Sequence, residues 1–130
     1  MENTATAFVD ALQQLHQNRD VDALIELFTD DVVLTKAGIP HEQRGRDGAR
    51  AFWTDYRDVF DTIESSFTHT VVDDDLVFLE WQSTGTLKDG KDFSYDGVSV
   101  LEGGDEGITA FRTYYDTAAF LTAERRNAGS

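Results

Sequence analysis

Apolar positions in the first sixty residues recur at helical spacing. Phe8, Val9, Leu12 and Leu15 fall on one face of a 3.6-residue period, which predicts an amphipathic helix over residues 4–17. Val21, Leu24, Ile25 and Phe28 form a second stripe behind Asp20, a residue type suited to helix capping. Asp30-Asp31 ends that helix, and Val32-Val33-Leu34 starts a short strand. Gly38 and Pro40 make residues 37–45 a loop. Asp47 is placed to cap a third helix carrying Ala49, Phe52, Trp53, Tyr56, Val59 and Phe60.

The period then changes to two, and residues 64–72, 76–87, 92–102 and 107–115 read as strands. Asp73-Asp74-Asp75, Asp89-Gly90 and Gly103 to Gly107 supply the turns between them. Asp116 is expected to cap a closing helix through Ala118, Phe120 and Leu121. Helices first and a meander afterwards give an α+β fold. Its sheet is expected to be antiparallel and curved, with three N-terminal helices on the concave face around a conical cavity, and a short C-terminal helix.

Side chains along a strand alternate between faces. One face collects Trp81 and Ser83, Phe93 and Tyr95, and Phe111, Thr113 and Tyr115. The other collects Glu80, Gln82, Ser94, Asp96, Arg112, Tyr114 and Asp116. Burying an unpaired carboxylate is costly, so the aromatic face is assigned to the interior. A one-residue slip would instead turn Glu80, Asp96, Arg112 and Asp116 inward as an acid/base set. On the convex face Val98, Val100 and Tyr114 form an apolar patch that a second copy of the chain could cover, which predicts a homodimer.

The 130 residues fit one domain, 1–130, with residues 1–3 and 125–130 expected to fray. A net charge of −14 argues against nucleic acid and anionic membranes as partners. Abundant Asp and only three lysines, Lys36, Lys88 and Lys91, suggest a salt-accumulating cytoplasm. With no cysteine, thiolate metal sites and cysteine nucleophiles are excluded. Neither an apolar run of membrane-spanning length nor a secretory leader is evident, so a cytoplasmic location is expected. His16, His41 and His69 show no metal-ligand spacing, and no cofactor is expected.

Asp20-Val21-Asp22-Ala23-Leu24 through Phe28-Thr29-Asp30-Asp31, then Gly45-Arg46-Asp47, Gly85, Gly107-Ile108 and Phe111-Arg112-Thr113-Tyr114-Tyr115-Asp116, follow one another in a telling order. In that order the chain resembles the nuclear transport factor 2-like superfamily, and within it the SnoaL-like group. The resemblance spans nearly the whole chain. It implies kinship with polyketide cyclases, limonene-epoxide hydrolases and ketosteroid isomerases. Where cyclases and epoxide hydrolases carry a pocket aspartate, this chain has Thr113. The Arg and Asp of the epoxide hydrolases align with Trp81 and Ser83, and their water-holding Tyr and Asn with Leu34 and Lys36. The isomerases' tyrosine aligns with Leu12, and their base falls near Lys36.

Those known chemistries need a proton donor and acceptor at the reacting atoms, so none is expected to transfer unchanged. The expected ligand-pocket residues are Trp53, Tyr56, Trp81, Ser83, Tyr95, Phe111, Thr113 and Tyr115. Lys36 and His41 are the titratable candidates for catalysis. The expected function is to hold a small neutral-to-apolar molecule in an aromatic cavity. The alternatives are an acid/base enzyme of cyclase, hydrolase or isomerase type with a rearranged set, and a protein-interaction module with a vestigial cavity.

Overall fold

The computed structural model describes residues 2–36 and 41–116. Helix α1, Glu2–Asn18, buries Ala5, Phe8, Ala11, Leu12 and Leu15 at helical spacing. It stops at Arg19, which adopts a left-handed φ of 58° while its N–H bonds Leu15 O at 2.9 Å. The Arg19 guanidinium donates to the carbonyls of Arg57 and Phe60 at 3.2 and 3.3 Å, and so pins the end of α1 to the end of α3. Helix α2 is one turn, Asp22–Ile25, with the Asp20 carboxylate accepting from the Asp22 N–H at 2.9 Å.

Strand β1 runs Phe28–Lys36, four residues longer at its start than the pattern predicts. An irregularity between Phe28 and Val33 breaks the alternation there and hides the strand from a period-two reading. The expected loop holds a short strand β2, Gln43–Arg44, antiparallel to β1. Helix α3, Gly45–Val59, has Arg44 at its N-cap; Asp47, expected as the cap, sits in the first turn instead. There its charge faces the positive end of the helix.

Strand β3, Phe60–Asp73, follows α3 directly, and irregularities at Phe60/Thr62 and Phe67/His69 bend it. Strands β4, Leu76–Leu87, β5, Asp92–Gly104, and β6, Gly107–Tyr115, continue the meander. At the β4–β5 turn Gly90 takes a φ of 85°, with its N–H on Leu87 O at 2.8 Å. The closing helix expected after Asp116 lies outside the described residues.

The sheet order is β2-β1-β6-β5-β4-β3. All ladders are antiparallel except β1 with β6, which is parallel, so the curved sheet is mixed rather than purely antiparallel. The chain returns to β1 only after α3 and four strands, the long connection a parallel pair requires. The α+β class with three N-terminal helices stands.

Packing divides in two. The larger cluster joins α1, α2 and α3 to Val32 and Leu34 of β1, Val77 and Leu79 of β4, Leu101 of β5, and Ile108 and Phe111 of β6. The smaller comprises Phe60, Ile63, Trp81, Phe93 and Tyr95. Tyr56 and Phe67 touch both. On the opposite face Tyr114 is 53% exposed, Val98 is half-buried and Val100 is buried. Val100 lies between its ladder partners Phe78 and Arg112, which removes it from the expected exposed patch.

Candidate functional site

Between the two clusters lies a cavity of about 90 Å³. Strand β4 turns Trp81 and Ser83 into it, β5 turns Tyr95, and β6 turns Phe111, Thr113 and Tyr115. Helix α3 adds Trp53 and Tyr56, so all eight residues expected at the pocket line one space. Lys36, at the end of β1 beside Thr113 in the ladder, also lines it. Pattern reading missed Ser65, Phe67 and Ser99 as lining residues. The same alternation carries the signal, since Ser99 shares parity with Tyr95, and Ser65 with Ile63 and Phe67.

The ring wall is continuous. Phe111 stands 5.2 Å from Trp53 and 5.7 Å from Phe52, centroid to centroid, with Trp53 edge-on to Tyr56 at 5.4 Å. Across the cavity Tyr95 meets Trp81 at 5.0 Å and Tyr115 at 5.5 Å, both edge-to-face. Trp81 can lie flat over β5 because Gly97 is its ladder partner; a Cβ there would run into the indole ring and Tyr114 O.

Hydroxyls knit this wall together. Ser99 is 5% exposed; its hydroxyl accepts from the Trp81 indole N–H at 3.0 Å and bonds the Thr113 hydroxyl at 3.0 Å. Ser65 and Ser83 pair at 2.6 Å. The Tyr56 hydroxyl lies 2.7 Å from His16 Nε2. Burial lowers the His16 pKa to about 4, so the imidazole is neutral near pH 7. Burial raises the Tyr56 pKa, and the Ser65 hydroxyl partly offsets that rise. Burial likewise raises those of Tyr95 and Tyr115. The phenols are therefore neutral donors and acceptors, not phenolates.

Carboxylates point away from the cavity. Glu80, Asp96 and Asp116 are exposed, and no Asp or Glu lines the cavity among the described residues. Glu80 accepts from Thr68 at 3.0 Å and pairs with His69 Nδ1 at 2.7 Å, bonds that lower its pKa, the His69 one most. Arg112 binds Glu102 on that same outer face. His41 is exposed and stands outside the cavity lining. Of the positions singled out by kinship, Leu34 is fully buried in the larger cluster, while Leu12, Lys36, Trp81, Ser83 and Thr113 line the space. No cluster of metal-binding side chains is found among the described residues. No described helix is long and apolar enough to cross a membrane.

The sequence profile of the SnoaL-like domain matches residues 5–111. The chain belongs to the SnoaL-like family. Among solved structures, this SnoaL-like chain is similar to TerC co-crystallised with polyporic acid, at 17% identity and a TM-score of 0.79, covering 94% of this chain and 98% of TerC. It is also similar to a Catenulispora acidiphila protein of ketosteroid isomerase-like fold in complex with trimethylamine, at 20% identity, TM-score 0.78, and 89% and 90% coverage. An LEH-like epoxide hydrolase of M. tuberculosis matches at 21% identity, TM-score 0.72, with 95% and 92% coverage. At these identities the likeness is one of fold. No curated protein matches the chain in sequence.

Proposed function

We propose that this SnoaL-like protein holds a small molecule with a flat, apolar body in the cavity between its helices and its sheet. One observation carries the reading: eight residues from α3, β4, β5 and β6 present rings and paired hydroxyls to one partly open space, while the carboxylates of the same strands face outward. Apolar walls with a few placed polar groups are the usual build of a ligand site. Ligand-bound relatives of the same fold add support. The space also argues against a vestigial cavity filled by its own rings.

Thermal unfolding with and without benzyl alcohol tests this, alongside Trp81→Ala. A midpoint that rises with benzyl alcohol in the native protein, and rises less in the variant, supports the site. No shift at any concentration up to the limit of solubility counts against it.

A second reading, an acid/base catalyst with a rearranged set, draws on the His16–Tyr56 and Ser65–Ser83 pairs. It predicts that a substrate's turnover falls steeply in Tyr56→Phe while binding is kept. We further propose a homodimer through the outer sheet face, where Phe78 and Tyr114 are exposed and Val98 is half-buried.

A further inference from the structure

The inference here rests on the reading of the cavity as a ligand site and concerns what class of ligand it takes. Trp53 is 4% exposed and lines the cavity, yet its indole Nε1 has no hydrogen-bond partner among the described residues. Buried N–H groups are seldom left so, because they forfeit the bond they made to water. The Trp81 N–H across the cavity is satisfied by Ser99, whereas that of Trp53 is not paired among the described residues. An indole N–H can only donate. What it lacks is an acceptor.

A second donor lines the same cavity. Lys36 is the sole charged side chain lining the cavity among the described residues, and it forms no ion pair among them. Its ammonium sits 5.6 Å from the Phe52 ring centroid, and Phe52 stands 5.2 Å from Trp53. The ammonium and the Phe52 ring therefore adjoin, and the Trp53 ring packs against the same Phe52. In a chain of net charge −14, this wall carries a positive charge and, among the described residues, no carboxylate.

We infer that the cavity takes a small ring compound bearing an ionised acceptor oxygen, a carboxylate or an enolate. The ring lies among Trp53, Phe111 and Trp81, the Lys36 ammonium answers the charge, and the Trp53 N–H receives an oxygen. An apolar void of roughly 150 Å³ admits benzene. At about 90 Å³ this cavity is smaller than that void but partly open to solvent, so it has no room for more than one ring, and that ring's substituent must reach toward the opening.

Calorimetric titration of the full chain with benzoate, benzyl alcohol and benzylamine at one ionic strength tests the inference. Benzoate is expected to bind about tenfold tighter than benzyl alcohol, and benzylamine weakest. Lys36→Met should cost benzoate about tenfold and leave benzyl alcohol unchanged, and Trp53→Phe should weaken benzoate while keeping the ring. If Trp53→Phe loses its native circular dichroism, Lys36→Met decides alone. Benzyl alcohol binding as tightly as benzoate, or benzoate indifferent to Lys36→Met, overturns the inference and leaves the cavity a ligand site. Failure of all three compounds to bind overturns both.

Discussion

His16 Nε2 and the Tyr56 hydroxyl meet at 2.7 Å across forty positions of sequence, tying α1 to α3 above the cavity. This contact holds the imidazole in a partly buried place where its charged form is disfavoured, with a pKa near 4 against an ordinary 6.5. Below 6.5 the unfolded chain binds a proton that the folded chain refuses. Stability therefore rises with pH between about 4 and 6.5 and levels off above.

The His16 contribution, present in full above pH 6.5, is lost as pH falls toward 4, and amounts to at most about 3 kcal/mol. Urea unfolding at pH 4.5 and pH 7.5 checks it. Relative to native protein, His16→Gln should lose less stability on acidification. Equal losses in the two proteins would refute the assignment.

Ser99→Ala strips the Trp81 indole N–H of its acceptor and leaves the Thr113 hydroxyl short of a partner. A loss of about 1–3 kcal/mol is expected. It should be visible as a lower denaturation midpoint at unchanged m-value. A midpoint within experimental error of the native one would mean that water or ligand already serves these groups.

Gly97→Ala drives a Cβ into the Trp81 ring and the Tyr114 carbonyl. Overpacking of this kind costs about 1–3 kcal/mol. Because Trp81 is displaced, affinity for benzyl alcohol should fall as well. A stable variant with native tryptophan fluorescence and native affinity would argue that β5 yields without moving the indole.

Tyr114→Lys places a charge on the proposed dimer face beside half-buried Val98, its ladder partner. Analytical ultracentrifugation should show a dimer for the native chain and a monomer for the variant, with cavity binding preserved. A native chain that sediments as a monomer at every concentration sinks the dimer proposal.

Much of the cavity lining was legible because three strands keep strict alternation. Trp81, Ser83, Tyr95, Phe111, Thr113 and Tyr115 share one parity, and the ladders pair Trp81 with Gly97 and Ser83 with Tyr95 as that parity demands. The start of β3 was not legible, since the irregularity at Phe60/Thr62 spoils the period where α3 passes straight into strand. The parallel β1–β6 ladder leaves no local trace, because pairing across so long a connection is decided by the whole sheet. His16 sits among Gln13, Gln14 and Gln17, and nothing local marks its pairing, because its partner is forty residues away. The unpaired Trp53 donor likewise escapes notice, because a tryptophan in an apolar helix stripe announces packing and not an unmet bond.

The space between the two packing clusters interrupts what would otherwise be one interior, bridged at its sides by Tyr56 and Phe67. A guest lodged there becomes the keystone between the helical end and the far end of the sheet. Occupancy should thus announce itself as a higher melting temperature and slower amide exchange in β4 and β5, whatever chemistry follows. A library of single-ring compounds can be ranked by that gain alone, before any reaction has been observed.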